Sequence, residues 1–404
     1  MVATEPMIIA RSYADRALEH IRYLTETIGP RPSTQEGERL GAEYAAAVLE
    51  QAGLVVQVEG FMSGRSTYRP YALAFGTGLM GSLIHALWPT RTTALAAALL
   101  NGAGAWAFAC EAELRPHWAR RLLPAGPSQN VVAIIPPAAT VRHRVVLYGH
   151  LDTHRTPIFY SNAAWVSAFS SLVGASFAGL IASSINDGWA ALRGRKPLQL
   201  PNMIAAGLQF FGLTMSLHGD RTPYTPGAND NASGASSALA LGERLAQQPL
   251  QHTEVWIVAN GCEELGAYGI GALLTGHTAA LQDADLISLD MVGIGAPTLL
   301  LREGLLLPSH PDQSLLERAR AVAAAHPGLL AGEHKGGAYT DTGIVTRRGF
   351  RGLTIDTQIA ADDPAAAGMG HWHQLSDTAD KIDVNCLART HAFVWEFLQA
   401  TDAQ

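Results

Sequence analysis

Five short apolar runs, at residues 130–135, 144–148, 254–259, 286–289 and 352–355, alternate with stretches of helical pattern. Apolar runs of this length, without polar alternation, suit strands buried on both faces. Alternation of such strands with helices makes neighbouring strands parallel and packs helices on either side of them. The expected fold is α/β: a mixed, mostly parallel central sheet with helices on both faces. On sheets of this kind functional groups collect beyond the carboxyl ends of the strands. An amphipathic helix over 15–30 precedes the sheet and closes at Ile28-Gly29-Pro30-Arg31-Pro32. Ser33-Thr34-Gln35-Glu36 has the spacing of a capping box, opening a helix that runs to about Gln51 and stops at Gly53. A strand is expected over 54–61. Further helices are expected from Gly234 to about Gln247 and over 267–274, 313–325 and 384–399.

The pattern breaks twice. Residues 70–90, 92–110, 156–186 and 197–217 contain no Asp, Glu, Lys or Arg, and each is near the length of a bilayer-spanning helix. They read as two hydrophobic helical-hairpin inserts in a single domain over 1–404. The first insert is 67–122, joined around Pro89-Thr90-Arg91. The second is 155–222, joined by a stretch holding Arg193, Arg195 and Lys196. Three fates suit them: membrane contact, a cover over a substrate cleft, or an oligomer interface. Their many small residues fit close helix packing in each case. Positive charge at both ends of each pair leaves orientation unread. An even number of crossings would return the remaining chain to one side of the membrane.

The formal net charge of −7 and the lack of a long basic run argue against nucleic acid as a partner. Cys110, Cys262 and Cys386 form no CxxC, so neither a disulfide framework nor a paired-cysteine metal site is expected. The stretch MVATEPMIIARSYADRALEH has too short an apolar run for a signal peptide, and a cytoplasmic location is expected.

Imidazoles and carboxylates cluster just beyond the apolar runs. His150-Leu151-Asp152, Glu263-Glu264 and Asp290 each follow one, Asp230 lies in Gly227-Ala228-Asn229-Asp230-Asn231-Ala232-Ser233-Gly234, and His373 comes near the end. Nitrogen and oxygen donors suit zinc, with cobalt or manganese as substitutes. A site for two divalent metals needs a bridging carboxylate, further ligands on each ion, and a base that ligates neither. Asp230, in a Gly- and Asn-rich loop ahead of a helix, is a natural bridge. Glu263 and Glu264 are consecutive and cannot both point the same way from an extended segment. One should ligate while the other serves as general base. Asp152 is placed to accept the second N–H of His150 and fix its tautomer.

Taken singly, an HxD is structural in most proteins and a Glu pair is usually a solvated face. The combination outweighs those readings. His154, His310 and His334 read as surface residues or as neighbours of the ligands, and the spacing to Asp377-Thr378 favours His373 over His371. Asp341 either supports a ligand or holds a turn, and Cys262 reads as packing. No Ser-His-Asp arrangement stands out, and the 227–234 loop lacks the Lys-Ser/Thr ending of a phosphate loop.

Gly149-His150-Leu151-Asp152, the 227–234 loop, Glu263-Glu264-Leu265-Gly266, Asp290-Met291 and His373-Gln374-Leu375-Ser376-Asp377-Thr378 resemble the ordered motifs of family twenty-eight metallopeptidases. The opening Gly29-Pro30-Arg31 is also similar. The resemblance implies a zinc-peptidase fold and a di-zinc aminopeptidase acting on peptides. It implies His150 and Asp290 on one zinc, Glu264 and His373 on the other, Asp230 between them and Glu263 as proton shuttle. A related family with a lid domain normally carries more than the 83 residues (373 − 290) found here between its last carboxylate and last His. Glutaminyl cyclases of the same kind work with one zinc, whereas His150 and Asp152 are both present here. The departure is the inserts, which stretch the interval from His150 to Asp230 to 80 residues (230 − 150). Other amide chemistry on the same site (carboxypeptidase, acyl-amino-acid hydrolase or glutaminyl cyclase) and a catalytically dead, membrane-anchored scaffold are the alternatives.

Overall fold

Among the described residues, eight strands make one sheet: β1 (Val56–Gly64), β2 (Ala125–Ile135), β3 (His143–His150), β4 (Thr253–Asn260), β5 (Asp285–Leu289), β6 (Ala296–Arg302), β7 (Gly332–Lys335) and β8 (Arg351–Gln358). Their order is β1-β2-β4-β3-β5-β8-β6-β7. The computed structural model that shows this describes residues 5–404, so the first four residues of the amino-terminal stretch lie outside it. The centre of the sheet, β4-β3-β5-β8, is parallel throughout. β2 runs antiparallel to β4, β6 runs antiparallel to β8, and β7 is parallel to β6. The sheet is therefore mixed and mostly parallel, as the apolar runs implied. Val145, Val146, Leu147 and Tyr148 of β3 are fully buried, which explains why the run lacks polar alternation. β6 and β7 were not anticipated. β7 is four mostly exposed residues with two charges, and β6 opens with Ala-Pro, so neither carries a clear periodic signal.

Register places the site. His150 pairs with Asn260 on the last rung of β3–β4, and Leu289 pairs with Ile355 on the last rung of β5–β8. His150, the Glu263-Glu264 turn and Asp290 therefore leave the sheet at one carboxyl edge.

The amino-terminal helix begins at Glu5, well before the expected residue 15, and passes into a wider turn at Tyr23–Ile28 that Gly29 ends with φ 85°. The expected capping box does not form. Gln35 is the N-cap of the helix Glu36–Gln51 and makes no side-chain cap. The Ser33 hydroxyl donates to Asp152 (2.7 Å), and the Thr34 N–H donates to Glu38 (2.7 Å). A buried carboxylate loses more without donors than a helix end open to water, so these donors turn inward.

Two compact units divide the chain. The first runs through Ser63 and continues with Gly126–His154 and Tyr224–Gln404; the second comprises Gly64–Ala125 and Arg155–Pro223. The first unit's core includes Leu147, Ile257, Leu353, Leu49, Leu241 and Phe393, from the sheet and from helices flanking it. The second unit holds the long helices Arg69–Leu87, Arg91–Ala112, Ala163–Arg193 and Gln199–Gly219. Its interior combines a cluster around Phe75, Phe108 and Leu180 with buried polar groups. Gln209 donates to Asn101 (2.7 Å) and Ser176 to the Leu208 carbonyl (2.8 Å), while Leu87, Leu99, Trp106, Ile185, Leu192, Met203 and Phe210 are exposed. Among the described residues, Arg91–Ala112, Ala163–Arg193 and Gln199–Gly219 are long and apolar enough to cross a membrane.

Candidate metal centre

His150 closes β3, and its Nδ1 lies 3.1 Å from the backbone carbonyl of Asp152. Donation there turns Nε2 towards Asp230 Oδ1 (3.4 Å) and Glu263 Oε2 (3.9 Å). Beyond β4, Cys262 takes φ 54° and turns the chain into Glu263-Glu264. The backbone N–H groups of Glu263 (3.0 Å) and Glu264 (3.1 Å) both donate to the Asp152 carboxylate, beside the Ser33 hydroxyl. The same carboxylate lies 3.5 Å from His150 Nδ1. Asp152 thus does more than the expected orientation of His150, because it also holds the turn that presents both glutamates.

Asp230 sits in the turn Ala228–Ala232, with a cis peptide to Asn231. The Asp377 carboxylate accepts the N–H groups of Asn229 (2.7 Å) and Asp230 (3.0 Å). Asn229 accepts from the Gly293 N–H (2.9 Å). Asn231 accepts from the Met291 N–H (3.1 Å) and donates to the Leu289 carbonyl (2.9 Å), so it brackets Asp290. Arg31 is buried and donates to the carbonyls of Leu24, Gly29, Leu151, Pro226 and Gly227, tying the segment after His150 to the approach of Asp230. The roles of Asp377 and Arg31 were not read from the sequence. Their motifs were noted, but the backbone groups they serve lie far away along the chain.

The donor atoms form overlapping groups within which all separations are at most 4.8 Å: His150, Asp230 and Asp290; His154, Glu264 and His373; and His150, Glu263 and Glu264. Asp230 links the first two, its Oδ1 facing His150 and its Oδ2 lying 3.1 Å from His373 Nε2. Glu264 Oε2 is 3.4 Å from His373 Nε2 and 4.0 Å from His154 Nε2. Asp152 lies outside these groups, 3.5 Å from His150 Nδ1, whereas each residue read as a ligand or base lies in one of them. His154 does too, although it read as a surface residue or a neighbour; it is buried, and its ring stacks on His373 at 3.6 Å. His310, His334 and His371 have other partners: the Leu301 carbonyl, Asp356 and Ser376. Asp341 is buried and accepts from Asn260 (2.6 Å) at the end of β4, and Cys262 is packed with its thiol towards Glu38 (3.4 Å).

Burial pushes the carboxyls of Glu263 and Asp290 well above the usual range, and those of Glu264 and Asp341 up to about 7. Burial also works against the charge on Asp230, but hydrogen bonds from His150 and His373 hold its carboxyl well below the usual range. For His373, burial opposes the charge, but Glu264 and Asp230 outweigh it and push the imidazole up to about 9. So many buried carboxylates facing ring nitrogens call for a cation among them. Bonds of about 2.1 Å to a tetrahedral zinc put donors roughly 3.4 Å apart. The separations of 3.1–4.0 Å found here bracket that value, so these residues fit zinc.

The sequence model of peptidase family M28 matches residues 211–398, the stretch that carries Asp230, Glu263, Glu264, Asp290 and His373. The resemblance read from the motifs is to this family. The alkaline phosphatase isozyme conversion protein of Escherichia coli (strain K12) is 28% identical over 179 residues, 39% of this chain and 51% of that protein. The match thus spans about half the length of that curated relative. Among solved structures, a zinc aminopeptidase from Bacillus subtilis superposes with a TM-score of 0.57 at 15% identity, covering 96% of this chain and 95% of that one. Porphyromonas gingivalis glutaminyl cyclase superposes with 0.54 at 17% identity, covering 96% and 98%. At such identities the likeness shows a shared fold, that of the zinc exopeptidases.

Proposed function

We infer that this chain, whose residues 211–398 match the sequence model of peptidase family M28, is a two-zinc aminopeptidase that removes N-terminal residues from peptides. The observation that carries the reading is Asp230, whose two oxygens face His150 and His373 separately while Glu263 lies beside His150. His150 and Asp290 would hold one ion, Glu264 and His373 the other, and Asp230 both. When bound, such ions supply a lowered water pKa and positive charge opposite a developing oxyanion. Burial raises the proton affinity of Glu263, which suits it to take a proton from the attacking water and pass it to the leaving amine. Asp152 positions that carboxylate by holding its backbone N–H. The peptidase part is read as one domain interrupted by the inserts.

The test pairs zinc content with chelator-sensitive cleavage of aminoacyl chromogenic substrates. Two zincs per chain, and activity lost on chelation and restored by zinc, are expected. One zinc, with ammonia released from N-terminal glutaminyl peptides, would replace the reading with a cyclase. Glu263→Gln should lower kcat by about 10²–10⁴ while both zincs stay bound. Loss of a zinc from that variant would make Glu263 a ligand instead.

The second unit supports a membrane location. Its candidate spans of 22, 31 and 21 residues, at about 1.5 Å per residue, each exceed the roughly 30 Å hydrocarbon thickness of a bilayer. Polar pairing inside and apolar side chains outside is the arrangement a lipid solvent favours.

A further inference from the structure

Glu38 lies in the first turn of the helix Glu36–Gln51 and is 1% exposed. Glutamate is almost never fully buried without partners. Here four donors meet it: the Thr34 N–H (2.7 Å) and the Ser128 hydroxyl (2.9 Å) on Oε2, and the Cys262 N–H (2.8 Å) and thiol (3.4 Å) on Oε1. We propose that Glu38 is a positioning residue for Glu263, fixing the turn that presents this base. The inference rests on the peptidase reading above, in which Glu263 takes the proton.

Cys262 has φ 54°, a left-handed conformation that is costly for a residue with a Cβ and persists only where its surroundings hold it. Glu38 supplies that hold. With Cys262 fixed, three consecutive N–H groups converge on two buried carboxylates: that of Cys262 on Glu38, those of Glu263 and Glu264 on Asp152. One loop serves both, since the Ser33 hydroxyl donates to Asp152 and the Thr34 N–H to Glu38. The two carboxylates differ in what else they hold. Asp152 lies 3.5 Å from His150, so its removal also disturbs a ligand. The four donors on Glu38 include no group of the metal cluster, so its removal acts through the turn.

The chain is shaped around this contact. A Cβ at position 261 would stand 2.7 Å from Glu38 Oε1 and 2.6 Å from Ser128 Oγ, so glycine there leaves the carboxylate room beside Cys262. The Gly261 N–H donates to Asn130 (3.3 Å), whose side chain donates to the Gly269 carbonyl (2.8 Å). β2 thus pins the turn ahead of Cys262, and Glu38 pins it at Cys262. A reacting group misplaced by about 1 Å costs on the order of 10²-fold in rate, so a hold on this turn is a hold on turnover.

Glu38→Gln keeps the volume but turns an NH2 towards one pair of donors. In hydrogen exchange of the zinc-loaded full-length protein, residues 261–266 should exchange at least about 10-fold faster than in the wild type, with 253–259 of β4 unchanged. Ser128→Ala keeps the charge and removes one donor; it should show the same change to a smaller degree, and it serves if Glu38→Gln does not fold. Wild-type exchange at 261–266 in both variants, or faster exchange throughout β4, would overturn the proposal. On aminoacyl chromogenic substrates, Glu38→Gln should lower kcat by about 10–100-fold with KM and zinc content unchanged. In a Glu263→Gln background the same substitution should cost less than about twofold, because the base it positions is gone. An equal fall in both backgrounds would make Glu38 a merely structural residue and overturn its role. A wild-type protein without zinc-dependent cleavage would refute the peptidase reading and the role with it; the exchange comparison needs no substrate and tells that failure from a slack turn.

Discussion

Asp152 shows how much one buried carboxylate does. It receives the N–H groups of Glu263 and Glu264 and the Ser33 hydroxyl, and it lies within 3.5 Å of His150. Asp152→Asn keeps the volume but offers one acceptor oxygen and turns an NH2 towards a donor. The glutamate turn should move, with a loss of about 1.5–3 kcal/mol in stability, the usual worth of hydrogen bonds to a buried charge. Thermal unfolding together with kcat should report it, and a variant that melts and turns over like the wild type would remove Asp152 from this role. The HxD spacing pointed to Asp152, because a residue two positions along reaches the same imidazole. It did not point to the glutamate turn, whose backbone arrives from β4. His154 was obscure for a related reason. A lone histidine is usually a solvated residue, and what surrounds this one, Glu264 and His373, comes from two distant loops.

Among elements, the parallel strands were legible because burial on both faces leaves continuous apolar runs; β6 was not because it opens with Ala-Pro, and β7 because it is four mostly exposed residues with two charges. The four long helices were legible from the missing charges, but their mutual packing was not. That packing depends on small residues at crossings. A Cβ on Gly104 of Arg91–Ala112 would meet the Ala74 carbonyl of Arg69–Leu87, and one on Gly212 would come within 2.7 Å of the Phe75 ring. Gly174, in Ala163–Arg193, faces open space. Gly104→Ala should therefore cost about 1–3 kcal/mol through overpacking. Gly174→Ala should be neutral or stabilise by up to about 1 kcal/mol, since it relieves the entropy of a helical glycine. Thermal unfolding in detergent compares the two, and equal melting would contradict the packing described.

At the scale of the whole molecule, the second unit decides how the protein must be handled. Its exposed leucines, tryptophans and isoleucines, with Asn101, Gln209 and Ser176 inside, predict a protein that stays with membranes through a high-salt wash and leaves only in detergent. A monodisperse protein in plain buffer would contradict the membrane location. The sequence by itself determined the sheet class, the charge-free helices and the nitrogen and oxygen donors that suit zinc, because burial period, span length and ligand chemistry are local properties. Only the tertiary structure decided which backbone Asp152 holds, that Arg31 and Asp377 brace the loops around Asp230, and that His154 joins the cluster. Each of these depends on groups remote in the chain meeting at one edge of the sheet, where burial makes an unmet hydrogen bond or charge expensive enough to select the arrangement.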